Sequence, residues 1–332
     1  EWRVRPNVTL SYGLRYDYYV PLTERDNRIV KFNIETGALD PNTTPFYRSK
    51  KNNVQPRVGV TYSPSTRTVL RGGFGIFVGP GQTEDQIQPI ESDRISSTLS
   101  NVTNAFPQNL ATIVTNFSAN PNNRSYQPRA YDRANYTVPE RIYSYTVSLQ
   151  QELPYKLGLT LAYVGSQGRN LFLRSVANQI TQVLTNVNPA SAAIVIREFS
   201  LVTPGAAGQN PTVQNPYAEI DYKRSGGHDS YNAFQMSLQR RFNTGVTLNA
   251  QYTLGKSWGN TAGSNEASTA GNLARKTADF DYDDGYNNFD VRHTFNVSAI
   301  YALPWGKDLT GLSKTLIGGW EVGTITNSRS GL

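Results

Sequence analysis

Val8-Thr9-Leu10-Ser11-Tyr12-Gly13-Leu14-Arg15-Tyr16-Asp17-Tyr18 is the stretch that decides how this chain reads. Apolar or aromatic side chains stand at Val8, Leu10, Tyr12, Leu14, Tyr16 and Tyr18. Thr9, Ser11, Gly13, Arg15 and Asp17 between them are small or polar. Successive side chains of a strand point to opposite faces, so this segment has one apolar face and one wet face. A single strand of that kind fits a soluble sheet lying on a core, and its neighbours must settle the matter.

Outward from this stretch the pattern recurs. Trp2-Arg3-Val4 reads as the tail of an earlier strand and Arg5-Pro6-Asn7 as its turn, ahead of a first full strand at about 8–20. A polar connection (about 21–53) follows, in which Val30, Phe32 and Ile34 alternate with Lys31, Asn33 and Glu35, the mark of a hairpin extending beyond the main sheet. Further strands are expected at about 54–63, 68–78, 141–153, 157–166, 232–242, 246–257, 292–303 and 316–330. Gly72, Gly73 and Gly75 weaken the third and leave room for bending. Asn243-Thr244-Gly245 makes a tight hairpin turn between the sixth and seventh.

The connections fall into two sets. Those after the second, fourth, sixth and eighth strands are short; those at about 21–53, 79–140, 172–229 and 258–289 are long. A soluble sandwich has no reason to sort loop length by end, because its connections favour a few residues everywhere. Each strand approaches the roughly 9–11 residues that cross a bilayer at a tilt. The expected fold is therefore all-β, an antiparallel up-and-down transmembrane barrel of about nine strands, with short periplasmic turns and long extracellular loops in the bacterial outer membrane. Nine strands cannot close a normal single-chain barrel, and an open edge in lipid leaves backbone groups unpaired. The expectation is a part of a larger barrel.

Composition agrees. The mean hydropathy of −0.49 and the lack of an apolar run near 20 residues argue against spanning helices. A barrel escapes that test because only alternate residues face lipid. The 20 Tyr, 13 Phe and 4 Trp suit aromatic girdles. Trp2, Trp305 and Trp320 fall at the expected periplasmic ends, and Tyr18, Tyr19 and Trp258 at the outer ends. Arg15, Asp17, Arg57, Arg71, Gln150, Gln235, Gln239, Arg241 and Gln251 take the opposite phase and are the expected lumen-facing side chains. The net charge of +7 is dispersed, with Lys50–Lys51 and Arg240–Arg241 as its densest pairs, so no nucleic-acid partner is expected. Cysteine is absent, which excludes disulfides and thiolate metal sites.

Several stretches resemble one family. Ser230-Tyr231-Asn232-Ala233-Phe234-Gln235-Met236-Ser237-Leu238-Gln239-Arg240-Arg241-Phe242 is similar to a strand of the Oar-like TonB-dependent receptors abundant in Acidobacteria. So are Tyr252-Thr253-Leu254-Gly255-Lys256-Ser257, Asp290-Val291-Arg292-His293-Thr294-Phe295, the Val69–Phe77 stretch, Gly318-Gly319-Trp320-Glu321 and the opening Trp2–Asn7. The resemblance implies an outer-membrane barrel of about 22 strands with a plugged lumen. This chain would supply a middle-to-late portion, without plug, TonB box or closing strands. It implies TonB as a partner through those other segments, lipid and lipopolysaccharide around the wall, and an unknown bulky, polar solute at the loops. A surface-structural or adhesive barrel, a passive porin-like channel, and a soluble β-rich binding module are the competing readings.

No enzyme chemistry is expected, and no cofactor. His228-Asp229-Ser230 sets triad residue types side by side, whereas a triad needs them converging in space. His293 is expected on a polar ladder or at the outer rim. Gly72-Gly73-Phe74-Gly75 lacks the lysine and spacing of a phosphate loop. The weak metal candidate is calcium at Asp279, Asp281, Asp283 and Asp290. Their spacing approaches a calcium loop, but Asp284 stands where glycine belongs, with Gly285 one place late.

Overall fold

The computed structural model describes residues 1–26, 30–41, 45, 47–81, 95–96, 109, 111, 125–126, 129–132, 136–217, 219–240, 245–261, 279–305 and 310–331. Ten strands follow one another as a meander: β1 (Trp2–Arg5), β2 (Val8–Tyr16), β3 (Val54–Ser65), β4 (Thr68–Gly79), β5 (Glu140–Leu153), β6 (Leu157–Ala177), β7 (Ile220–Arg240), β8 (Val246–Gly259), β9 (His293–Ala302) and β10 (Glu321–Arg329). Each pairs antiparallel with its neighbour in sequence. β1 and β10 are the two edges, each with one partner in the sheet. Among the described residues no helix is long and apolar enough to cross a membrane.

Register carries the two-faced pattern from strand to strand. Val8, Tyr62, Leu70, Leu149, Leu161, Met236, Tyr252, Phe295 and Ser328 stand opposite one another in sequence from β2 to β10. One residue along each strand lies a second row: Thr9, Thr61, Arg71, Ser148, Ala162, Gln235, Thr253, Thr294 and Arg329. Paired residues point to the same face, so one row is almost wholly apolar and the other almost wholly polar. The apolar face is bare: Tyr12, Leu14, Val58, Val147 and Tyr163 are all exposed. A contiguous apolar sheet face of this extent marks a lipid or protein environment rather than water.

The short turns gather at one end. Ser65 and Thr68 bond across the β3–β4 turn at 3.0 Å, and Tyr155 and Lys156 turn the chain between β5 and β6 with positive φ. The β7–β8 turn at Asn243-Thr244 lies outside the described residues. The β9–β10 connection differs from expectation. Residues 316–320 do not begin the last strand; Leu312–Ile317 form a short helix, and β10 starts at Glu321. Leu312, Leu316 and Ile317 fall on one helical face at i, i+4 and i+5, and Gly318-Gly319 ends the helix.

At the other end β6 and β7 run on as 21-residue strands, past the limits of about 157–166 and 232–242 that alternation sets. The period fades there because Gly165, Gln167 and Gly168 have no apolar face to serve. Register shifts around Leu171 bend β6 as it rises. The expected hairpin is present as Val30–Asn33 against Ala38–Pro41. Arg129–Tyr131 joins it to β7 through parallel pairing, so the folded connections lean on the raised β6–β7 ribbon.

Candidate functional site

The raised ribbon and the connections around it form a crown with its own interior. Ala130, Leu173, Ala177, Ile220, Tyr222 and Phe280 make one buried cluster, with Ile34, Phe199 and Tyr217 packed against it. Tyr47, Tyr136, Val138 and Phe172 make a second, joined by Tyr19 and Leu22. Tyr19 therefore belongs to the crown, and its hydroxyl donates to the Val78 carbonyl at 3.3 Å. Most of the sheet has no interior of this kind, so rigidity at this end is built from the connections themselves.

Charge is buried in the crown and paired. The Arg174 guanidinium, 6% exposed, donates through Nε and Nη2 to the two Asp221 oxygens at 2.7 and 2.8 Å. Lys223, with no exposed surface, lies 3.5 Å from Asp221 Oδ2 and over the Phe172 ring. The Tyr222 hydroxyl donates to Asp132 Oδ2 at 3.1 Å, and burial with the Asp132 charge pushes its pKa upward. Arg224 sits over Phe280. Forked arginine–carboxylate geometry locks this part of the ribbon.

A second polar knot fastens the β8–β9 connection to the ribbon. Asn287 Nδ2 donates to Asp229 Oδ1 at 2.6 Å and to Ser257 Oγ at 2.7 Å. Asn260 Nδ2 donates to Asp281 Oδ1 at 2.9 Å, and the Ser257 N–H donates to Asp290 Oδ1 at 2.6 Å. Burial pushes the Asp229 carboxyl above its ordinary pKa, against the lowering effect of the bond from Asn287.

The knot accounts for the acidic run. Asp281 and Asp290 hold separate donors, Asp284 lies 3.2 Å from His228 Nε2, and Asp279 and Asp283 stand at the ends of a 3-10 turn. Among the described residues no three His, Cys, Asp or Glu side chains gather as metal ligands. His228, Asp229 and Ser230 also diverge: Ser230 Oγ donates to the Trp258 carbonyl, while Asp229 turns to Asn287. His293 opens β9, where Nδ1 meets the Tyr252 hydroxyl at 2.8 Å.

Arg57, Arg71, Gln150, Gln235, Gln239 and Gln251 share the polar face by register, and Arg15 and Asp17 continue it at the end of β2. Arg241 lies outside the described residues. Arg15 Nε reaches Asp17 Oδ2 at 2.8 Å, and the Gln55 amide donates to the same oxygen at 2.5 Å. That bond and the Arg15 charge hold the Asp17 carboxyl below its ordinary pKa. Gln55, almost wholly buried, links three strands by also accepting from the Val78 N–H, a role its polar neighbours in sequence gave no sign of.

Trp2 and Trp258 fall on the apolar face, Trp258 edge-on to Tyr286 with ring centroids 5.0 Å apart. Tyr18 is exposed just beyond β2. Trp305 and Trp320 line a cleft of about 340 Å³ with Leu303, Leu316, Ile317 and Val322 at the short-turn end. The crown's outermost hairpins, Ile180–Leu184 with Ile194–Arg197 and Leu201–Thr203 with Thr212–Gln214, leave Ile180, Val183, Leu201 and Val202 exposed.

A family model described as an outer membrane beta barrel domain matches residues 1–332. The chain belongs to that family. This outer membrane barrel chain is a protein of the bacterial outer membrane, and its two-faced meander is part of a barrel wall. No curated protein matches it. Among solved structures it is similar to the FrpB iron transporter from Neisseria meningitidis, at 11% identity and TM-score 0.42 over 90% of this chain and 29% of that one. It is also similar to the siderophore receptor PirA from Acinetobacter baumannii, at 11% identity and TM-score 0.41 over 90% and 29%. The alcaligin outer membrane receptor FauA from Bordetella pertussis matches at 13% identity and TM-score 0.39 over 99% and 36%. The barrel chain thus spans about a third or less of each of these proteins.

Proposed function

We propose that this chain is a wall segment of an Oar-like TonB-dependent receptor that binds a bulky, polar solute at its crown and passes it through a plugged lumen. The observation that carries the reading is the joining of a two-faced wall to a crown which, among the described residues, has its own buried interior at one end only. A passive pore needs the wall alone. The apolar face meets lipid, the polar face with Arg57, Arg71, Gln150, Gln235, Gln239 and Gln251 lines the lumen, and the crown is extracellular. Trp2, Trp305 and Trp320 then stand at the periplasmic interface and Tyr18 and Trp258 at the outer one. Energised passage calls on TonB and a plug supplied by other segments.

The test is uptake by cells carrying the intact gene, screened with ferric siderophores, oligosaccharides and peptides too large for passive pores. TonB-dependent accumulation is expected, with surface binding retained when TonB is removed. Binding without accumulation of any probe refutes transport. The second reading, an adhesive barrel, draws on the exposed Ile180, Val183, Leu201 and Val202 of the crown hairpins. It predicts that loss of the gene changes cell–surface attachment and leaves uptake intact.

A further inference from the structure

A cavity of about 120 Å³ opens on the polar face at the foot of the crown, lined by Ile142, Ser166, Leu171, Asp229 and Tyr231 among others. Register across β5, β6 and β7 brings these together: Ile142 faces Gly168, Gly168 faces Asp229, and Ser166 faces Tyr231. Asp229 and Tyr231 keep the phase of Gln235, which places them on the polar face. A pocket for a whole drug-sized ligand measures about 300–1,000 Å³, so this one takes a single group of a larger solute.

Its chemistry is rich in acceptors and poor in cations. No lining residue is cationic. Among the described residues the Asp229 carboxylate is met by neutral donors only. Asn287 Nδ2 at 2.6 Å and the Ser230 N–H at 3.1 Å reach Oδ1, and the Thr261 hydroxyl reaches Oδ2 at 3.4 Å. His228, next to it in sequence, has Nε2 3.2 Å from Asp284 instead. Buried Asn287 leaves its own Oδ1 without a partner among the described residues, a second acceptor beside the first. Burial pushes the Asp229 pKa upward, the mark of a carboxylate whose desolvation no counter-ion offsets. Arg57 shares the row of Ser166 and Tyr231 but stands three strands away, over Phe77. At about 4.8 Å per strand that separation is about 14 Å, beyond the Debye length of about 8 Å.

An ammonium brings three donors and a full charge to this spot, whereas a sugar hydroxyl brings one donor and no charge. Calcium takes about six to eight oxygens, more than a lining with two aliphatic side chains offers. We propose that the cavity is the subsite for a protonated amine of the transported solute. The ammonium meets the Asp229 carboxylate, and its methylene stem lies along Ile142, Leu171 and the Tyr231 ring. The inference rests on the proposed function, in which the polar face lines the lumen, and it narrows the solute to one that carries an amine.

The experiment is saturation-transfer NMR on the full-length protein in detergent at neutral pH, with n-butylamine, n-butanol and methyl glucoside as probes. Butylammonium is expected to bind in preference to both others. Asp229→Asn weakens it by about tenfold or more, the worth of a charge-assisted hydrogen bond, and leaves butanol unchanged. Ser166→Leu fills the cavity from β6 without touching the Asp229–Asn287 bond. It abolishes amine binding and decides the question if the asparagine variant does not fold. Butanol binding as tightly as butylammonium overturns the proposal, and so does a preference for methyl glucoside or an amine preference that survives either substitution. Uptake by cells separates the subsite from the function it rests on. Amine preference without TonB-dependent uptake of any amine-bearing peptide refutes transport and retains the subsite. TonB-dependent uptake by a protein that shows no amine preference refutes the subsite alone.

Discussion

Replacing Asp221 by Asn probes whether the crown is an independently held structure. In the native protein, Arg174 gives both Asp221 oxygens a hydrogen bond, at 2.7 and 2.8 Å, and is 6% exposed. With charge centres about 4 Å apart and an effective dielectric near 20, the attraction is about 4 kcal/mol. Desolvation offsets part of this in the intact pair, but the substitution removes the attraction and leaves the guanidinium buried. Breaking a buried pair on one side costs about 3–5 kcal/mol. The loss should be local, because Arg174 and Asp221 pair with each other within the part of β6 and β7 that runs on beyond the wall. Hydrogen exchange should therefore rise in residues 171–177 and 220–226, by about two to three orders of magnitude, while β8 and β9 stay protected. Because Lys223 Nζ also lies 3.5 Å from Asp221 Oδ2, Arg174→Met and Lys223→Met combined with Asp221→Asn should recover much of the stability, since all three charges then leave together. Unchanged exchange in the single variant, or a triple variant worse than the single, refutes the pairing as the crown's fastening. Exchange rising equally across the wall refutes its independence.

Three further outcomes follow from the geometry. Val147→Arg on the apolar face should cost about 2–4 kcal/mol of folding stability in bilayers, whereas Ser148→Arg on the polar face costs little; urea titration in vesicles reads both. Gly165 lies under the Tyr145 ring, and a Cβ there would stand 2.3 Å from a ring carbon, so Gly165→Ala should cost about 1–3 kcal/mol by displacing the Tyr145–Tyr163 stack. Gly79→Ala, with open space around it, is the matched control and should be neutral in the same titration. Because burial raises the Asp229 pKa, the folded crown holds that proton more tightly than the unfolded chain, and stability falls as pH rises from the ordinary carboxylate value through the folded one. Asp229→Asn should flatten that dependence in pH-resolved proteolysis of the crown; an unchanged slope assigns it to another group.

The alternation from Val8 to Tyr18 and its repeats sufficed for the all-β meander, because a strand's period is local and lipid demands that one phase be apolar. Loop lengths alone separated the two ends. The composition of the polar phase picked out Arg57, Arg71, Gln235 and Gln251 as residues of one face, since register in a meander preserves phase. Other features were beyond any local pattern. The upward extension of β6 and β7 carries no period, because both its faces meet other parts of the crown. The helix at Leu312–Ile317 took the place of strand because its apolar residues fit i, i+4 spacing over a few positions only. Asp229, Asn287, Ser257 and Asp281 are brought together from distant connections, and the acidic run that resembles a calcium loop is spent on those bonds instead. Arg141 and Arg169 are 28 positions apart in sequence and become opposed cations only when β5 and β6 pair. Side-chain phase is written in the chain; which charges meet is decided by pairing and by the folding of long connections, and only the tertiary structure fixes those.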